Sequence, residues 1–393
     1  MRLVLSLIGL LFSMFTAGQP FPVGKRTITF VDGGRSGRNI STELYYPGAM
    51  AGNNAPLAAG TEKYPVVVFG HGFLMSPAAY GWLADSLVKY GFIVAFPSTE
   101  SGVSPSHEQF GRDLGFLAQR IPSLNDSTDH FLYGRVANKS AIGGHSMGGG
   151  ASFLAMNYNT QVQAVFNFAA AETNPSAKAA ASTIQKPTLI FSGTQDCIVA
   201  PAEQQIMYNN VPYSCKTYVN ITGGLHCHFG NNDATCVFGQ VTSGCNASSI
   251  SASVLFSKVI ALLRPFLLHY LKADCVAANT FESSLATVSG INVLRNCSSD
   301  PLGCVVTAAP NMIQTSILNI YPNPAVLGSN TQLKLERGVF QQLTCYDLSG
   351  RVIFRTRTPR SPVLSINVPS TGPHIVQAET SVGIFYRTIV FHK

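Results

Sequence analysis

The chain has 393 residues, a formal net charge of +7, 46% hydrophobic residues and only 11% charged residues. A composition this apolar excludes disorder as the dominant state, and the length suits a domain of ordinary enzyme size with a smaller module attached. Residues 19–275 carry sixteen Lys and Arg against fourteen Asp and Glu, and residues 316–393 carry eight Lys and Arg against three Asp and Glu. Because the basic residues are not clustered around one site, we expect no nucleic-acid partner.

Residues 1–18 have the pattern of a secretory signal peptide. Arg2 supplies a positive start, residues 3–15 form a short apolar run, and Thr16-Ala17-Gly18 is a small-residue cleavage site. The apolar run is shorter than the roughly 20 residues that a membrane-spanning helix needs. We expect a mature protein that begins near Gln19, is secreted or held at the cell surface, and has no stable membrane insertion.

Strands and helices are predicted to alternate along residues 19–275, which we interpret as one domain. Strands are predicted at residues 26–31, 40–46, 66–69, 92–96, 140–143, 162–168, 187–191 and 216–221, and helices at 78–90, 106–120, up to about 158 after the strand at 140–143, and at 250–271. The turn-forming Asp32-Gly33-Gly34 makes the first two strands a hairpin. Alternating buried strands and helices indicate an α/β fold with a mostly parallel sheet flanked by helices, and the hairpin adds an antiparallel edge.

The last quarter of the chain has a different pattern. Residues 276–315 are rich in Ser, Thr, Asn and Ala without helical or strand periodicity, and we interpret them as a linker. Short strand-like runs separated by turns then follow at residues 317–321, 332–335, 342–346, 352–355, 363–368, 375–378 and 384–391. This pattern predicts a small β-sandwich over residues 316–393.

The pentapeptide Gly144-His145-Ser146-Met147-Gly148 matches the G-x-S-x-G nucleophile elbow. A serine on a tight turn between a strand and a helix needs glycine two residues to either side, because larger side chains would collide with the neighbouring strand and helix. The start of the helix also favours negative charge that develops beside it. Ser146 is therefore the predicted nucleophile.

A serine hydroxyl needs a base held in position by an acid, and this fold class supplies them in the order Ser, acid, His. The loop after the strand at 187–191 offers Asp196, with Glu172 and Asp233 as alternatives. The next strand ends before two histidines; His226 lies nearer the strand end than His228, so we favour His226 as the base.

The oxyanion hole requires two backbone N–H donors directed at the tetrahedral oxygen. Met147, directly after the nucleophile, should supply one donor. The other should come from Phe73 in Gly70-His71-Gly72-Phe73, after the strand at 66–69. We expect His71 and His145, which lie beside these turns, to serve as hydrogen-bonded scaffold rather than in proton transfer.

Nine cysteines suit an oxidising compartment, where eight of them would pair. Cys197 directly follows the candidate acid and Cys227 directly follows the candidate base. Bridges such as Cys197–Cys215 and Cys227–Cys236 could therefore brace the site loops. Zinc bound by Cys227 and His228 is the alternative, but the paired C-x-x-C of a structural zinc site does not occur, and we expect no metal.

Three motifs resemble those of the bacterial cutinase and polyester-hydrolase branch of the α/β-hydrolases, with dienelactone-hydrolase-like and chlorophyllase-like esterases as near relatives. These motifs are Gly70-His71-Gly72-Phe73, the elbow continued through Gly149-Gly150, and residues 187–191 followed by Asp196-Cys197-Ile198-Val199-Ala200-Pro201. The resemblance covers about residues 40–273. It implies a secreted, cofactor-free serine esterase in which Phe73 and Met147 flank the scissile ester, and we expect His145 to contribute to substrate binding.

The sequence differs from the polyester hydrolases at one substrate-binding position. Where they carry a tryptophan after the strand at 162–168, this chain reads Ala169-Ala170-Ala171, and its only tryptophan, Trp82, lies on a predicted helix. The resemblance therefore implies ester hydrolysis without implying an aromatic polyester as the natural substrate.

The C-terminal module resembles the type IX secretion sorting domain. The resemblance rests on Tyr321-Pro322-Asn323-Pro324-Ala325, on Tyr346-Asp347-Leu348-Ser349-Gly350-Arg351-Val352, and on the basic β end at Lys393. It implies export by the outer-membrane secretion machinery of a Gram-negative cell and later removal of the module. A carbohydrate- or polymer-binding β-sandwich is the alternative, because a sandwich fold does not determine function.

Together these observations predict a secreted serine esterase that hydrolyses carboxylic esters through an acyl-enzyme intermediate. Its substrate would be a small ester, a lipid or a polyester. The alternatives are a lipase, peptidase or chlorophyllase-like esterase of the same fold, and a non-catalytic surface binding protein on a hydrolase scaffold.

Overall fold

A computed structural model describes residues 20–245, 247–297, 300–304, 318–335, 339–347, 351–357, 361–367, 371–380 and 383–392. The predicted signal peptide, residues 305–315 of the predicted linker, and residues 316–317, Leu348-Ser349-Gly350 and Lys393 of the predicted C-terminal module lie outside the described residues.

The elements of the larger part of the chain alternate as the sequence predicts. The strands are β1 (Val23–Asp32), β2 (Arg38–Pro47), β3 (Gly52–Asn53), β4 (Tyr64–Gly70), β5 (Ile93–Pro97), β6 (Val136–Gly144), β7 (Ala164–Phe168), β8 (Thr188–Gly193), β9 (Cys215–Ile221) and β10 (Ile291–Cys297). The helices are α1 (Gly81–Val88), α2 (His107–Ser123), α3 (Met147–Ala155), α4 (Ala177–Ala181), α5 (Pro201–Asn210), α6 (Ala234–Thr242), α7 (Ala252–Lys272) and α8 (Cys275–Thr287).

These strands form one ten-stranded sheet in the order β10-β9-β8-β7-β6-β4-β5-β2-β1-β3. The strands from β5 through β4 to β9 run parallel to their neighbours, whereas β1, β2 and β10 add antiparallel pairs at the two sides. The predicted α/β fold with a mostly parallel sheet and an antiparallel edge is confirmed. The parallel arrangement brings the carboxyl ends of β4, β6, β8 and β9 to one edge, where the candidate site residues follow each strand.

The sheet is covered on both faces, which explains why its central strands are continuously apolar. All seven residues of β4 are buried. Because side chains alternate across a strand, Val66 and Val68 belong to the core on one face, and Val67 and Phe69 belong to the core on the other. Helices α2 and α3 cover the first face, and α1 and α7 cover the second.

Among the described residues, α7 is the helix long and apolar enough to cross a membrane by length and composition. More than half of its most apolar stretch, 56%, is buried within the protein. Residues Leu255, Val259 and Leu262 pack in the core beneath the sheet. The helix therefore serves as a core helix of the α/β fold.

The prediction of a linker from residue 276 is wrong for the described residues through Cys304. Residues 275–287 form α8. Asp274 caps the start of this helix, because its carboxylate accepts the N–H of Ala277 at 3.0 Å. Residues 291–297 form β10, which pairs antiparallel with β9. The polar composition concealed both elements, because α8 buries few side chains and β10 is an edge strand that depends on its partner.

Two disulfides attach this segment to the fold. Cys215–Cys297 joins β9 to β10, and Cys275–Cys304 joins the start of α8 to the residues after β10. The described part of the larger unit therefore extends through Cys304.

The C-terminal part forms two small sheets built from strands at the predicted places. Its strands are β11 (Leu318–Tyr321), β12 (Ala325–Val326), β13 (Thr331–Leu335), β14 (Phe340–Tyr346), β15 (Val352–Arg357), β16 (Val363–Ile366), β17 (Gly372–Thr380) and β18 (Gly383–His392). Three strands are ordered β11-β13-β16 and five are ordered β12-β18-β17-β14-β15. Leu333 of the first sheet and Leu343 of the second share one core, which confirms a small β-rich module.

Candidate active site

Ser146 lies on a strained turn between β6 and α3. Its backbone has φ 54° and ψ −119°, a left-handed conformation that a non-glycine residue adopts only when its surroundings impose it. Its N–H donates to the Phe168 carbonyl at 3.0 Å, and its own carbonyl accepts the Ala171 N–H at 2.9 Å. The turn is therefore held from β7 and the residues after it, as a nucleophile elbow requires.

The glycines of the elbow are needed because backbones touch there. A Cβ atom on Gly144 would overlap the carbonyl of Gly148, and one on Gly148 would overlap the carbonyl of Gly70 at the end of β4. Residues Gly70 and Gly144 are register partners of the parallel pair β4–β6. The elbow is thus pressed directly against the loop that carries the second predicted oxyanion donor.

The predicted acid and base are hydrogen-bonded to each other. His226 Nδ1 lies 2.8 Å from Asp196 Oδ2, and the two side chains are only 3% and 0% exposed. The other carboxylate oxygen, Oδ1, accepts the N–H groups of Ile198 at 3.0 Å and Val199 at 2.8 Å. A carboxylate held in this way fixes the ring and places the proton on Nδ1, so that Nε2 is the atom able to accept a proton from a hydroxyl.

The alternative acids and base have structural roles. His228 Nδ1 accepts the Leu225 N–H at 3.4 Å, and burial lowers the pKa of His228. Glu172 accepts the Lys178 N–H at 3.1 Å, and Asp233 caps α6 by accepting two backbone N–H groups. The geometry favours the acid and base that the sequence analysis preferred.

His145 lies between the elbow and the loop that follows β9 and carries His226 and His228, called the base loop below. Its ring centroid lies 4.7 Å from that of His226, although the two residues are far apart in the chain. Its Nδ1 lies 2.9 Å from the hydroxyl of Tyr80, and burial together with the charge of His226 lowers the pKa of His145 well below its ordinary value. His145 is completely buried, which fits its predicted scaffold role, and its contribution to substrate binding stays a prediction.

The two predicted oxyanion donors follow neighbouring strand ends. Met147 is the first residue of α3, where a backbone N–H has no acceptor within its own helix. Phe73 follows Gly72, and its side chain is 46% exposed, which suits contact with a substrate. His71 is buried, with its ring nitrogens 2.8 and 2.9 Å from two backbone carbonyl oxygens, as expected for a scaffold residue.

The disulfide pairing partly differs from the prediction. Cys227–Cys236 is confirmed. Cys197 bonds to Cys245, and the predicted bond to Cys215 is wrong because β10, which the sequence analysis interpreted as linker, supplies that cysteine's partner. The two bridges still flank the acid–base pair, since each begins at the residue that follows the acid or the base.

Two clusters contain a cysteine beside a histidine, but neither offers a free thiolate to a metal ion. Cys227 is in a disulfide, so it cannot ligate zinc with His228 as the alternative interpretation required. His269, Asp300 and Cys304 also lie together, but Cys304 is disulfide-bonded. His269 Nε2 lies 2.6 Å from Asp300 Oδ1, so this second cluster is a hydrogen-bonded pair with a disulfide beside it.

Two aromatic residues near the site were not identified from the sequence as parts of it. Trp82 donates from Nε1 to the Phe229 carbonyl at 3.1 Å and stacks on Phe256 at 4.1 Å between ring centroids. It therefore supports the base loop from the core. Through its hydroxyl, Tyr80 contacts both the elbow and the loop of residues 70–73 that carries the predicted donor Phe73, called the oxyanion loop below. Only their proximity to Phe73 in the chain could have indicated such roles.

Comparison with known proteins gives a consistent set of relatives. A family model described as PET hydrolase-like matches residues 13–243, more than half of the chain. Cutinase 2 of Thermobifida cellulosilytica is 25% identical over 168 residues, which cover 42% of this chain and 61% of that protein. Cutinase cut1 of Thermobifida fusca is 25% identical over 168 residues, covering 42% of this chain and 50% of that protein.

A third relative matches a longer stretch. Cutinase 1 of Thermobifida cellulosilytica is 24% identical over 212 residues, which cover 53% of this chain and 72% of that protein. The chain spans about half to three fifths of the length of the first two relatives.

Proposed function

The chain belongs to the PET hydrolase-like family, and from this premise we propose that it is a serine hydrolase of carboxylic esters that works through an acyl-enzyme. The observation that carries the proposal is the buried hydrogen bond of 2.8 Å between His226 Nδ1 and Asp196 Oδ2. This pair lies beside the strained elbow of Ser146, because the ring of the preceding residue lies 4.7 Å from that of His226.

The proposed reaction proceeds in two halves. Ser146 Oγ attacks the ester carbonyl while His226 Nε2 takes its proton, and Asp196 stabilises the imidazolium that forms. The N–H groups of Phe73 and Met147 hold the negative oxygen of the tetrahedral intermediate. The imidazolium then gives its proton to the departing alcohol and leaves an acyl-serine. Water attacks the acyl-serine with His226 as the base, which releases the acid and restores the serine hydroxyl.

The proposed substrates are esters with an apolar acyl or alcohol part: small esters, lipids or aliphatic polyesters. The half-exposed ring of Phe73 supports an apolar contact beside the ester. The tryptophan of polyester hydrolases is replaced by alanines, of which Ala169 and Ala170 are fully buried. Trp82 cannot substitute for it, since it stacks between core aromatic rings. We therefore propose that aromatic polyesters are poorer substrates than aliphatic ones.

A panel of p-nitrophenyl esters from acetate to long-chain acids, with a polyester film beside it, tests this function. The wild-type protein should hydrolyse the short esters, and Ser146→Ala should reduce turnover by at least about 10³-fold. A preference for long-chain lipids would indicate a lipase. Absence of turnover on every ester, with no reaction of Ser146 with a fluorophosphonate, would contradict the proposal and favour the surface binding protein.

We also propose that the protein acts outside the cytoplasm. Four disulfides support an oxidising compartment. The proposed division of the mature chain is a catalytic unit from residue 19 through at least Cys304 and a sorting module over residues 316–393. In a Gram-negative host with type IX export, the protein without residues 316–393 should remain active as an esterase but should stay inside the cell. Unchanged export without the module would contradict the sorting role and leave polymer binding to be tested.

A further inference from the structure

The hydroxyl of Tyr80 lies at the meeting point of two loops. Tyr80 ends a short 3-10 turn, Pro77–Tyr80, that follows the oxyanion loop, and its side chain is completely buried. Its hydroxyl oxygen lies 2.9 Å from the Gly72 backbone nitrogen, 2.9 Å from His145 Nδ1 and 3.3 Å from Met75 Sδ. A buried hydroxyl placed this closely among three polar atoms is an ordered part of the structure.

The direction of each hydrogen bond follows from the chemistry of the partners. The Gly72 N–H can only donate, so the hydroxyl oxygen accepts from it. The hydroxyl donates its hydrogen bond to His145 Nδ1, because an imidazole nitrogen is a much stronger acceptor than the thioether sulfur of Met75. Burial raises the pKa of Tyr80, so the hydroxyl keeps the proton that this arrangement needs.

The two partners of the hydroxyl directly precede the two groups that would act on the ester. Gly72 precedes Phe73, the proposed oxyanion donor, and His145 precedes Ser146, the proposed nucleophile. A shift of either loop would therefore move a reacting or stabilising atom. The relative placement of such groups matters at the level of about 1 Å.

His145 also has to remain uncharged. Its ring lies 4.7 Å from that of His226, which becomes an imidazolium during the proposed reaction. Accepting a hydrogen bond from the Tyr80 hydroxyl at Nδ1 keeps His145 as a neutral ring with its own proton on Nε2. A second positive charge at this distance would oppose proton transfer to His226.

We propose that Tyr80 is a positioning residue, whose buried hydroxyl holds the oxyanion loop and the nucleophile elbow in register and fixes the neutral tautomer of His145. The inference rests on the proposed esterase function. It predicts an effect on the chemical step more than on substrate binding, because the hydroxyl touches neither the ester nor the exposed face of Phe73.

The test compares Tyr80→Phe with Tyr46→Phe in the full chain. Tyr46 is equally buried, and its hydroxyl donates to the Ala55 carbonyl at 2.7 Å in the core on the opposite face of the sheet. Each variant loses one buried hydroxyl, so the two should lose similar amounts of thermal stability. On p-nitrophenyl acetate, kcat of Tyr80→Phe should fall about 10- to 100-fold with KM changed less than about threefold, since losing one oxyanion donor outright costs about 10²–10³. Tyr46→Phe should keep kcat within about twofold.

Two outcomes of this comparison would overturn the inference: kcat of Tyr80→Phe within twofold of wild type, or an equal loss of kcat in both variants. A wild-type protein without any esterase activity would instead overturn the proposed function, and this inference with it. An active wild type with unaffected Tyr80→Phe leaves the proposed function standing.

A second pair of variants keeps the test decisive if Tyr80→Phe does not fold. His145→Leu removes the acceptor of the Tyr80 proton from the other side and should also lower kcat. His145→Asn carries an oxygen able to accept near the position of Nδ1 and should recover at least about fivefold of the activity lost in His145→Leu. Equal activity of the two His145 variants would overturn the positioning role.

Discussion

The proposed nucleophile elbow and the two loops that carry the proposed acid–base pair are held in place in different ways. The elbow depends on backbones in contact, with glycines at 144 and 148 where any side chain would overlap a neighbouring carbonyl. The acid and base loops depend on covalent links, Cys197–Cys245 and Cys227–Cys236, that start at the residues after Asp196 and His226. Close packing places the elbow, whereas the acid and base loops combine a close backbone contact, Gly193 against Gly224, with two cross-links.

This difference matches what each side has to do. A turn between a buried strand and a helix is already enclosed by the sheet, so packing alone can impose the strained backbone of Ser146. The acid loop lies beyond the end of β8 and is partly exposed, with Thr194, Cys197 and Ile198 at the surface, so fewer neighbours restrict it. Disulfides there reduce the number of arrangements that the loops can adopt.

The largest expected effect separates the two histidines of the base loop. His226→Ala should lower kcat/KM by about 10³- to 10⁴-fold, because the nucleophile loses its base. His228→Ala should cost less than about tenfold, since His228 only accepts the Leu225 N–H. Steady-state kinetics on a short ester measure both values. Loss of activity in His228→Ala with an active His226→Ala would reverse the assignment.

The next effect concerns the elbow. Gly148→Ala should destabilise the protein by about 3 kcal/mol and reduce activity more than 100-fold, because its Cβ would overlap the Gly70 carbonyl. Gly239→Ala in α6 is the matched control, since a Cβ there meets nothing within 4 Å. Denaturant unfolding and ester kinetics on both variants provide the comparison. A Gly148→Ala protein as stable and active as Gly239→Ala would show that the elbow is not close-packed.

The disulfides beside the site should contribute to activity as well as to stability. Replacing both cysteines of Cys197–Cys245 by alanine should cost about 2–4 kcal/mol of unfolding free energy and lower kcat about tenfold. The control is Cys275–Cys304, whose first cysteine follows the C-terminus of α7. This helix has 21 residues and is therefore about 30 Å long.

Removal of the control bridge should cost comparable stability and leave kcat within about twofold. Equal losses of kcat in both double variants would show that the bridges support the fold as a whole rather than the acid loop.

The smallest effect is a pH dependence of stability in the base loop. Burial lowers the pKa of His228 in the folded protein, so the unfolded chain takes up its proton at a higher pH than the folded protein does. Its contribution to stability is complete above the ordinary histidine pKa of about 6.5 and is lost as the pH falls through the lower folded value.

The non-titrating variant His228→Asn tests this contribution. The unfolding free energy of the wild type should decrease more between pH 7 and pH 5 than that of His228→Asn, by part of the ~1.4 kcal/mol per pH unit that one full proton would give. Parallel curves for the two proteins would mean that His228 titrates alike in both states.

Features with a local cause could be predicted from the sequence. The apolar runs of β4 and β6 indicate strands buried on both faces. The glycine spacing around Ser146 indicates a close-packed turn, because such a turn needs glycine at those positions. The strands of the C-terminal module were found for the same reason: their short apolar runs are separated by turn residues.

Features that depend on a distant partner could not be predicted. The strand β10 is an edge strand that follows a segment rich in Ser, Thr, Asn and Ala, and it is recognised only from its pairing with β9. The partner of Cys215 could therefore not be predicted either. The burial of His145 depends on how its ring meets Tyr80 and His226, which come from different parts of the chain. Neither composition nor spacing contains that information.

The most direct test of the proposed serine chemistry is a crystal structure of the full chain after reaction with diethyl p-nitrophenyl phosphate, whose phosphoryl group imitates the tetrahedral intermediate. We expect phosphorus bonded to Ser146 Oγ, with the phosphoryl oxygen about 2.7–3.1 Å from the backbone nitrogens of Phe73 and Met147. A phosphoryl group on another residue, or a phosphoryl oxygen directed away from both amides, would contradict it.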